Sequence, residues 1–185
     1  TLYNNTSGNS NTTFGSYSST FNTTGSSNTV SGYYALHTNS TGSHNTAIGR
    51  EALYYNTIGY YNTALGSYTL YYNSTGSNNT AVGNNVLKHN TSGDHNNASG
   101  SHALHFNSTG TFNTASGSYA LYNTTTGSLN TAFGGWSLGN NTTGSNNTAL
   151  GTYTQGSSDN ATNQTVIGYG ATGQSDNSVT LGNSE

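Results

Sequence analysis

The chain has 185 residues, of which only 4% are charged and 29% are hydrophobic, with no Pro, Cys or Met and a formal charge of −3. Two Lys and Arg residues cannot form the basic surface that phosphate neutralisation needs, so nucleic acid and anionic membrane surfaces are not expected partners. So few hydrophobic residues also argue against a conventional packed core. Disordered chains usually carry more charge and fewer aromatic residues than this one, which has 15 Tyr and 5 Phe. We therefore predict that the chain is folded and that its order comes from a repeated sequence unit.

No apolar run approaches the roughly 20 residues that a membrane-spanning helix requires, so membrane insertion of this segment is not expected. We do not expect the chain to begin with a signal peptide at Thr1, and we expect the segment to belong to a longer chain. The absence of Cys means that disulfide bonds are not the stabilising device.

The phrase Asn-Thr-Ala-x-Gly recurs every 17 residues along the whole chain. Its first position holds Asn11, Asn28, Asn45, Asn62, Asn79, Asn96, Asn113, Asn130, Asn147 and then Gln164. A Gly closes each phrase, and a second Gly column runs from Gly25 to Gly144. Between these corners lie two strand-sized runs, Thr-Ala-x and x-Ala-Leu, the latter with its Leu at every 17th position from Leu36 to Leu138. A fixed period of this kind predicts a β-solenoid, in which each repeat forms one coil.

A meander of antiparallel hairpins is the competing interpretation. Tight hairpins favour Asn-Gly or Asp-Gly, and the chain contains neither pair. We therefore predict an all-β, parallel β-solenoid (β-roll) of 17-residue coils with two short strands per coil over residues 1–168, followed by a shortened final coil over 169–185. At about 4.8 Å per coil, ten to eleven coils would make a rod of roughly 50 Å.

The interior of such a roll is thin, because its regular apolar contributions are one Leu column and one Ala column. Burial of so little apolar area leaves the chain entropy poorly offset, so other sources of stability are needed. Asn columns can supply one, because each side-chain amide can bond its copy one coil away. These columns are the Asn that opens the phrase and a second set, Asn22, Asn39, Asn56, Asn73, Asn90, Asn107 and Asn141.

Association of chains is the second expected source of stability. The fourth position of the phrase is mostly apolar, and in a strand it points away from the neighbouring Ala, towards the outside. We call this set the apolar stripe and predict it to be a subunit interface. Its members are Ile48, Leu65, Val82, Phe133, Leu150 and Ile167, preceded by Phe14 and interrupted by Ser31, Ser99 and Ser116.

The segments "GSYALYNTTTGSLNTAFG" and "GREALYYNTIGYYNTALG" resemble the repeats of YadA-like head domains, found in trimeric autotransporter adhesins and phage tail-fibre proteins. The resemblance extends from about Leu2 to Gly182. It implies a left-handed parallel β-roll that assembles as a homotrimer outside the cell. The uniform 17-residue period and the Thr-Ala pair depart from the adhesin heads. "NSVTLGNSE" resembles the point where a head continues into a neck or stalk, so a stalk or fibre is expected beyond Glu185.

No catalytic, cofactor or metal site is predicted. Glu51 and Asp94 fall in different coils and columns, so one chain does not pair two carboxylates as glycoside hydrolysis requires. The six His occupy four columns, so stacking is not expected to align them for metal ligation. They are His37, His44, His89, His95, His102 and His105. Sequons at Asn22, Asn39, Asn73 and Asn107 arise from composition, and ladders would occupy their amides.

Aromatic residues recur in neighbouring columns, and two hypotheses concern them. Rings beside amides could bind a sugar or another surface, or they could stack from coil to coil and stabilise the fold, which we favour. The candidate surface-binding residues are Tyr54, Tyr55, Tyr71, Tyr72, Phe106 and Tyr122.

The sequence therefore favours a non-enzymatic structural and adhesive module, the rigid head or shaft of a surface adhesin or of a viral or phage fibre. Its expected partners are copies of itself, as a homotrimer or a filament, and a glycan or protein of a host surface. Two alternatives remain open: a self-assembling extracellular filament subunit, because solenoid edges can stack between chains, and an ice- or glycan-binding solenoid, because Thr also forms a column.

Overall fold

A computed structural model of the chain describes residues 1–182. Within them every strand is three residues long, and consecutive strands pair in parallel to form one sheet of eleven strands. The strands are Thr12–Phe14 (β1), Thr29–Ser31 (β2), Thr46–Ile48 (β3), Thr63–Leu65 (β4), Thr80–Val82 (β5), Asn97–Ser99 (β6), Thr114–Ser116 (β7), Thr131–Phe133 (β8), Thr148–Leu150 (β9), Thr165–Ile167 (β10) and Val179–Leu181 (β11). This all-β, parallel β-solenoid confirms the predicted fold class.

The register follows the sequence period. Ala47 pairs with Ala64, and Ala64 with Ala81, so equivalent residues of successive coils lie beside one another. The last step is shorter, because Thr165 pairs with Val179. The predicted neck or stalk concerns residues 183–185 and the chain beyond them, which lie outside the described part. Among the described residues, no helix has the length and apolar character needed to cross a membrane.

Each coil contains one strand, which corrects the prediction of two. In the run x-Ala-Leu, Tyr34 and Leu36 have φ values of 55° and 49°, far from the negative φ of a strand. Ala35 and Leu36 are both fully buried, whereas a strand would direct successive side chains to opposite faces. The run still bonds from coil to coil, since the Leu36 N–H donates to the Ala52 carbonyl at 2.9 Å.

The interior consists of three narrow apolar columns: the Ala of each strand, the Ala of the run x-Ala-Leu, and the Leu that follows it. The strand column holds Ala from Ala47 to Ala149, with Val30 and Val166 at its ends, and all are buried. The Leu column is buried from Leu36 to Leu138. The core is therefore thin, and the Ala of the run x-Ala-Leu adds a third column to the two that the sequence predicted.

Two buried columns of Asn accompany this core, and both form ladders. In the corner ladder, Asn39 Nδ2 donates to Asn22 Oδ1 at 2.6 Å, and Asn56 Nδ2 donates to Asn39 Oδ1 at 2.9 Å. Each amide also closes its own corner, as when Asn39 Nδ2 donates to the Gly42 carbonyl at 2.9 Å. The predicted bonding between copies is thus confirmed for this column.

The phrase ladder, built from the Asn that opens each phrase, uses backbone groups as well. The Oδ1 of Asn62 accepts the backbone N–H of Asn79 at 3.1 Å, and Asn79 Nδ2 donates to the Gly93 carbonyl at 2.8 Å. The side-chain link between the same two residues is also present, at 3.1 Å. Because it fixes the backbone just before each strand, this ladder positions the sheet itself.

Glycine is required where coils approach most closely. Gly49 has a φ of 133°, and a Cβ added there would lie 2.5 Å from the carbonyl oxygen of Gly66 in the next coil. At the other corner, a Cβ on Gly76 would lie 2.6 Å from the Gly93 oxygen and 2.7 Å from Asn90 Nδ2. Both Gly columns therefore follow from the spacing of the coils.

Candidate functional site

The apolar stripe lies on the outer face of the sheet, as predicted. The strand register places Ile48 beside Leu65 and Leu65 beside Val82. A second segment begins where Phe133 lies beside Leu150. The stripe residues are partly to strongly exposed in this single chain. The Ala that immediately precedes most of them in their strands is fully buried. This pattern leaves apolar side chains in water along one face of the molecule.

Two serines divide the stripe, and one residue missed by the sequence analysis extends it. Ser99 and Ser116 lie side by side between Val82 and Phe133. At the other end Leu181 pairs with Ile167 and is 73% exposed. It was missed because the last coil is shorter and its phrase, Ser-Val-Thr-Leu-Gly, has lost the usual Thr-Ala.

The six aromatic residues proposed for surface binding all lie on the corner that follows the Leu column. Tyr54 stacks on Tyr71 with ring centroids 5.3 Å apart, and Tyr55 stacks on Tyr72 at 5.5 Å with planes 4° apart. Neighbouring columns meet edge to face, as when Tyr71 approaches Tyr72 at 4.7 Å. The structure therefore brings these rings together through coil-to-coil stacking.

The stacked rings extend well beyond those six residues. We use the term aromatic band for the whole set, which is Tyr17, Tyr34, His37, Tyr54, Tyr55, Tyr68, Tyr71, Tyr72, His89, His102, His105, Phe106, Tyr119, Tyr122 and Trp136. It runs from the coil of β1 to the coil that follows β8. Its pairs have the offset-stacked and T-shaped geometries that stabilise aromatic contacts.

Stacking determines which part of each ring can meet a ligand. Tyr72 and Phe106 lie on either side of His89, at 5.2 and 5.3 Å, so both faces of His89 are covered. Tyr55 covers the other face of Tyr72 at 5.5 Å. Burial raises the pKa of the Tyr71 phenol far above its usual range. Rings inside the band therefore present edges to solvent, whereas sugar stacking needs a free face.

Three histidines gather in the middle of the band, which the sequence analysis did not foresee. The ring of His105 lies 5.1 Å from that of His89 and 5.1 Å from that of His102. His89 lies in one coil, and His102 and His105 lie in the next, at three different positions of the 17-residue repeat. The bend of the chain at this corner brings the three positions close together. The available signal was the clustering of four His between positions 89 and 105. We call His89, His102 and His105 the histidine cluster.

The hydrogen bonds of the cluster fix the tautomer of His105. Its Nδ1 lies 3.0 Å from the carbonyl oxygen of Asn85, which can only accept, so Nδ1 carries the hydrogen and donates it. Nε2 is therefore the site where His105 gains a proton. His102 Nδ1 lies 2.8 Å from Ser101 Oγ. Burial lowers the pKa of all three imidazoles, and the positive charge of Lys88 lowers it further.

The only Lys and Arg of the chain lie beside this band. The Arg50 guanidinium and the Lys88 ammonium each lie 5.5 Å from the centre of the Tyr68 ring, within the range of a cation–π contact. Arg50 also donates from Nε to Glu51 Oε1 at 3.0 Å. Lys88 forms no ion pair within residues 1–182. The band thus carries the positive charge of a chain whose net charge is negative.

The acidic residues do not converge on any site within the described part of the chain. Asp94 Oδ1 accepts the Ser77 N–H at 2.7 Å, and Asp176 Oδ1 accepts the Thr162 N–H at 2.8 Å. No group of three or more His, Asp or Glu is placed to hold a metal ion among residues 1–182. Asp94 and Asp176 therefore bond backbone N–H groups of a neighbouring coil, and Glu51 pairs with Arg50.

The sequons at Asn22, Asn39, Asn73 and Asn107 are buried. Asn73 Nδ2, for example, donates both to Asn56 Oδ1 and to the Gly76 carbonyl, each at 2.8 Å. Its side chain is fully buried. In the folded chain these amides are occupied by the corner ladder, as the sequence analysis predicted.

Comparison with protein-family models, with curated proteins and with solved structures finds no match for this chain.

Proposed function

We propose that the chain is a non-enzymatic structural and adhesive module that forms the rigid head or shaft of a surface adhesin or of a viral or phage fibre. In this proposal it acts outside the cell, on a cell surface or a virion, as a homotrimer. Its repeats resemble those of YadA-like heads, and a stalk or fibre would follow it. The observation that carries the proposal is the apolar stripe along a rigid solenoid.

The stripe supports association because of its exposure and its continuity. Leu150 is 50% exposed and Phe133 45% exposed, and strand pairing sets them directly side by side. Isolated apolar residues on a surface need no explanation, but a continuous row of them is typical of an interaction surface. A closed ring of identical chains would bury the same row on every chain.

Rigidity supports the structural part of the proposal. Coils are joined by strand pairing, by hydrogen bonds along the run x-Ala-Leu and by two Asn ladders. The aromatic band adds stacking on the outside. A coil cannot tilt without breaking several of these columns together, so the rod transmits load and holds whatever it carries at a distance.

The mass of the protein in solution tests the trimer. We expect sedimentation equilibrium to give three times the 19.1 kDa of one chain. In a variant combining Ile48→Ser, Leu65→Ser and Leu150→Ser, we expect the monomer mass with unchanged circular dichroism, because Ser31, Ser99 and Ser116 show that this strand position accepts Ser.

A matched control replaces exposed apolar residues that lie off the stripe, with Ile58→Ser and Leu129→Ser, and should remain trimeric. A monomeric parent protein would contradict the association proposal. A mass that keeps growing with concentration would contradict the closed trimer and favour the filament, in which the edge strands of successive chains pair.

A further inference from the structure

The histidine cluster and Lys88 form a compact group of nitrogen-bearing side chains on the aromatic band. His105 is central, with the rings of His89 and His102 each 5.1 Å away. Lys88 precedes His89 in sequence, and its charge acts on all three imidazoles. Upon protonation, the group would hold four positive charges within two successive coils.

No carboxylate balances this group in the described part of the chain. Glu51 is engaged by Arg50 at 3.0 Å, and Asp94 accepts the Ser77 N–H at 2.7 Å. The influences on the three imidazoles come from burial, the Asn85 carbonyl, Lys88 and one another, and none comes from an acid. A cluster of like charges without a counter-ion either stays neutral or takes up an external anion.

The surrounding rings favour an anion as well. Tyr72, His89 and Phe106 form a stack whose inner faces are covered, yet Tyr72 and Phe106 are 41% and 39% exposed. Because Tyr55 and His89 cover both faces of Tyr72, the solvent-facing part of that ring is its edge. The edge of an aromatic ring is the positive end of its quadrupole, so it attracts negative charge and offers no stacking platform to a neutral sugar.

We propose that Lys88 and the histidine cluster bind the carboxylate or sulfate group of an acidic saccharide, and that the imidazoles take up protons as it binds. Lys88 supplies the fixed charge, and the partly exposed imidazoles of His89 and His102 donate once protonated, while the buried His105 adds its charge behind them. Charge-assisted hydrogen bonds of this kind are the stronger class. The proposal gives a ligand class to the adhesive part of the proposed function, on which it rests, but it does not depend on the trimer.

Acidification should strengthen this binding. The titratable groups around the cluster are Lys88 and the phenols of Tyr72, Tyr119 and Tyr122. Lys, Arg and Tyr side chains titrate near pH 10 or above, so the imidazoles are the groups that change charge between pH 7.5 and 5.5. An anion that prefers the protonated imidazoles must raise their pKa by the same coupling through which protons raise its affinity.

The probe for the test is 3′-sialyllactose, which carries one carboxylate, and its neutral match is lactose. Nuclear magnetic resonance of the imidazole C–H groups follows each His during titration with the sugar at both pH values. We expect the affinity for sialyllactose to rise by about fivefold or more between pH 7.5 and 5.5, the lower end of usual coupling between sites. Its addition should raise the pKa of His89, His102 and His105, and lactose should leave them unchanged.

Neighbouring coils provide substitutions that keep the stacking. Tyr71 and Tyr122 occupy the column of Lys88, and Tyr68 and Tyr119 that of His102, so Lys88→Tyr and His102→Tyr should fold. Each should weaken binding by about tenfold, the effect of losing one charge-assisted contact. His37→Tyr is the control, because His37 makes the same bond from Nδ1 to a carbonyl, at 2.8 Å to Tyr17, far from Lys88.

Three results would overturn the proposal: equal binding of lactose, unchanged binding in the Lys88→Tyr, His102→Tyr double variant, or an affinity that does not change with pH. Full competition by sodium sulfate at the same concentration would overturn the saccharide and leave only an anion site. Sedimentation of the same samples separates the two proposals: a trimer that binds no acidic sugar refutes this site alone, and a monomer that binds it refutes the trimer alone.

Discussion

The central coils and the C-terminal coils differ in one column of Asn, and this difference separates two sources of stability. In the central coils the corner ladder is continuous, and Asn107 Nδ2 still donates to Asn90 Oδ1 at 2.7 Å. Thr124 then occupies the Asn position, and Asn107 Oδ1 is left buried without a partner. Asn141 Nδ2 reaches Thr124 Oγ1 only at 3.4 Å, and its own Oδ1 is unpaired as well.

The phrase ladder crosses the same boundary without a break. Asn130 N–H donates to Asn113 Oδ1 at 3.0 Å, and Asn147 N–H donates to Asn130 Oδ1 at 3.1 Å. It ends at Gln164, whose longer side chain turns to Ser157 and accepts its N–H at 3.0 Å. A coil therefore tolerates the loss of a corner amide, whereas the ladder that holds backbone N–H groups persists through every 17-residue coil.

The largest expected effect is the loss of one phrase amide. Asn79→Leu, of similar size, would leave the Asn96 N–H buried without a partner, whereas the Gly93 carbonyl would keep its bond from Asn90 Nδ2. The unpaired N–H costs about 1–3 kcal/mol and the lost bonds to Asn62 and Gly93 about 0.5–1.5 kcal/mol each, so we expect the free energy of unfolding to fall by about 2–6 kcal/mol. Urea denaturation followed by circular dichroism measures it.

The matched variant in the corner ladder is Asn73→Leu, which removes bonds to Asn56, Gly76 and Asn90. Because the coil at Thr124 persists with this ladder interrupted, we expect the smaller loss, about 1–4 kcal/mol. If Asn73→Leu proved more damaging than Asn79→Leu, the ranking of the two ladders would be wrong.

Much of this architecture follows from the sequence, and the exceptions have physical causes. The ladders were predictable because an Asn at fixed spacing in stacked coils must meet its copy. The conformation of the run x-Ala-Leu was not, because Tyr and Leu disfavour positive φ and their presence gives no sign of it. Within the candidate site, the apolar stripe follows from strand alternation, whereas the histidine cluster depends on how a corner folds three columns together.

A further test restores the Asn side chain that the corner ladder lacks at position 124. Thr124→Asn would place an Nδ2 donor near Asn107 Oδ1 and an Oδ1 acceptor near Asn141 Nδ2, as in the central coils. Satisfying the buried Asn107 Oδ1 should raise the free energy of unfolding by about 1–3 kcal/mol. Urea midpoints measure the change. Thr126→Asn, at an exposed position in the same corner, is the control and should have little effect; an equal gain in both variants would contradict the ladder explanation.

A smaller gain in stability is expected from replacing a residue that has a positive φ and an exposed side chain. Leu129 has a φ of 60° and is 55% exposed, so Leu129→Gly should stabilise the C-terminal coils by about 1 kcal/mol through relief of backbone strain. Leu121 has a φ of 52° but is fully buried, so Leu121→Gly should instead destabilise the protein through lost packing. Thermal melts of both variants measure the two signs, and a loss at Leu129 would show that its side chain is needed.

The smallest expected effect concerns pH, and it acts on the central coils, where the histidine cluster lies. The folded state lowers the pKa of His89, His102 and His105, so the unfolded chain binds more protons. The stability they confer is complete above the unfolded pKa of about 6.5 and is lost as pH falls below it towards the folded values. Hydrogen exchange at pH 7.5 and 5.0, corrected for intrinsic rates, should show protection falling in β5 and β6 more than in β9 and β10. With all three His replaced by Tyr this difference should disappear, because the stacking is kept and the titration is removed; uniform loss along the rod would assign the acid sensitivity to other groups.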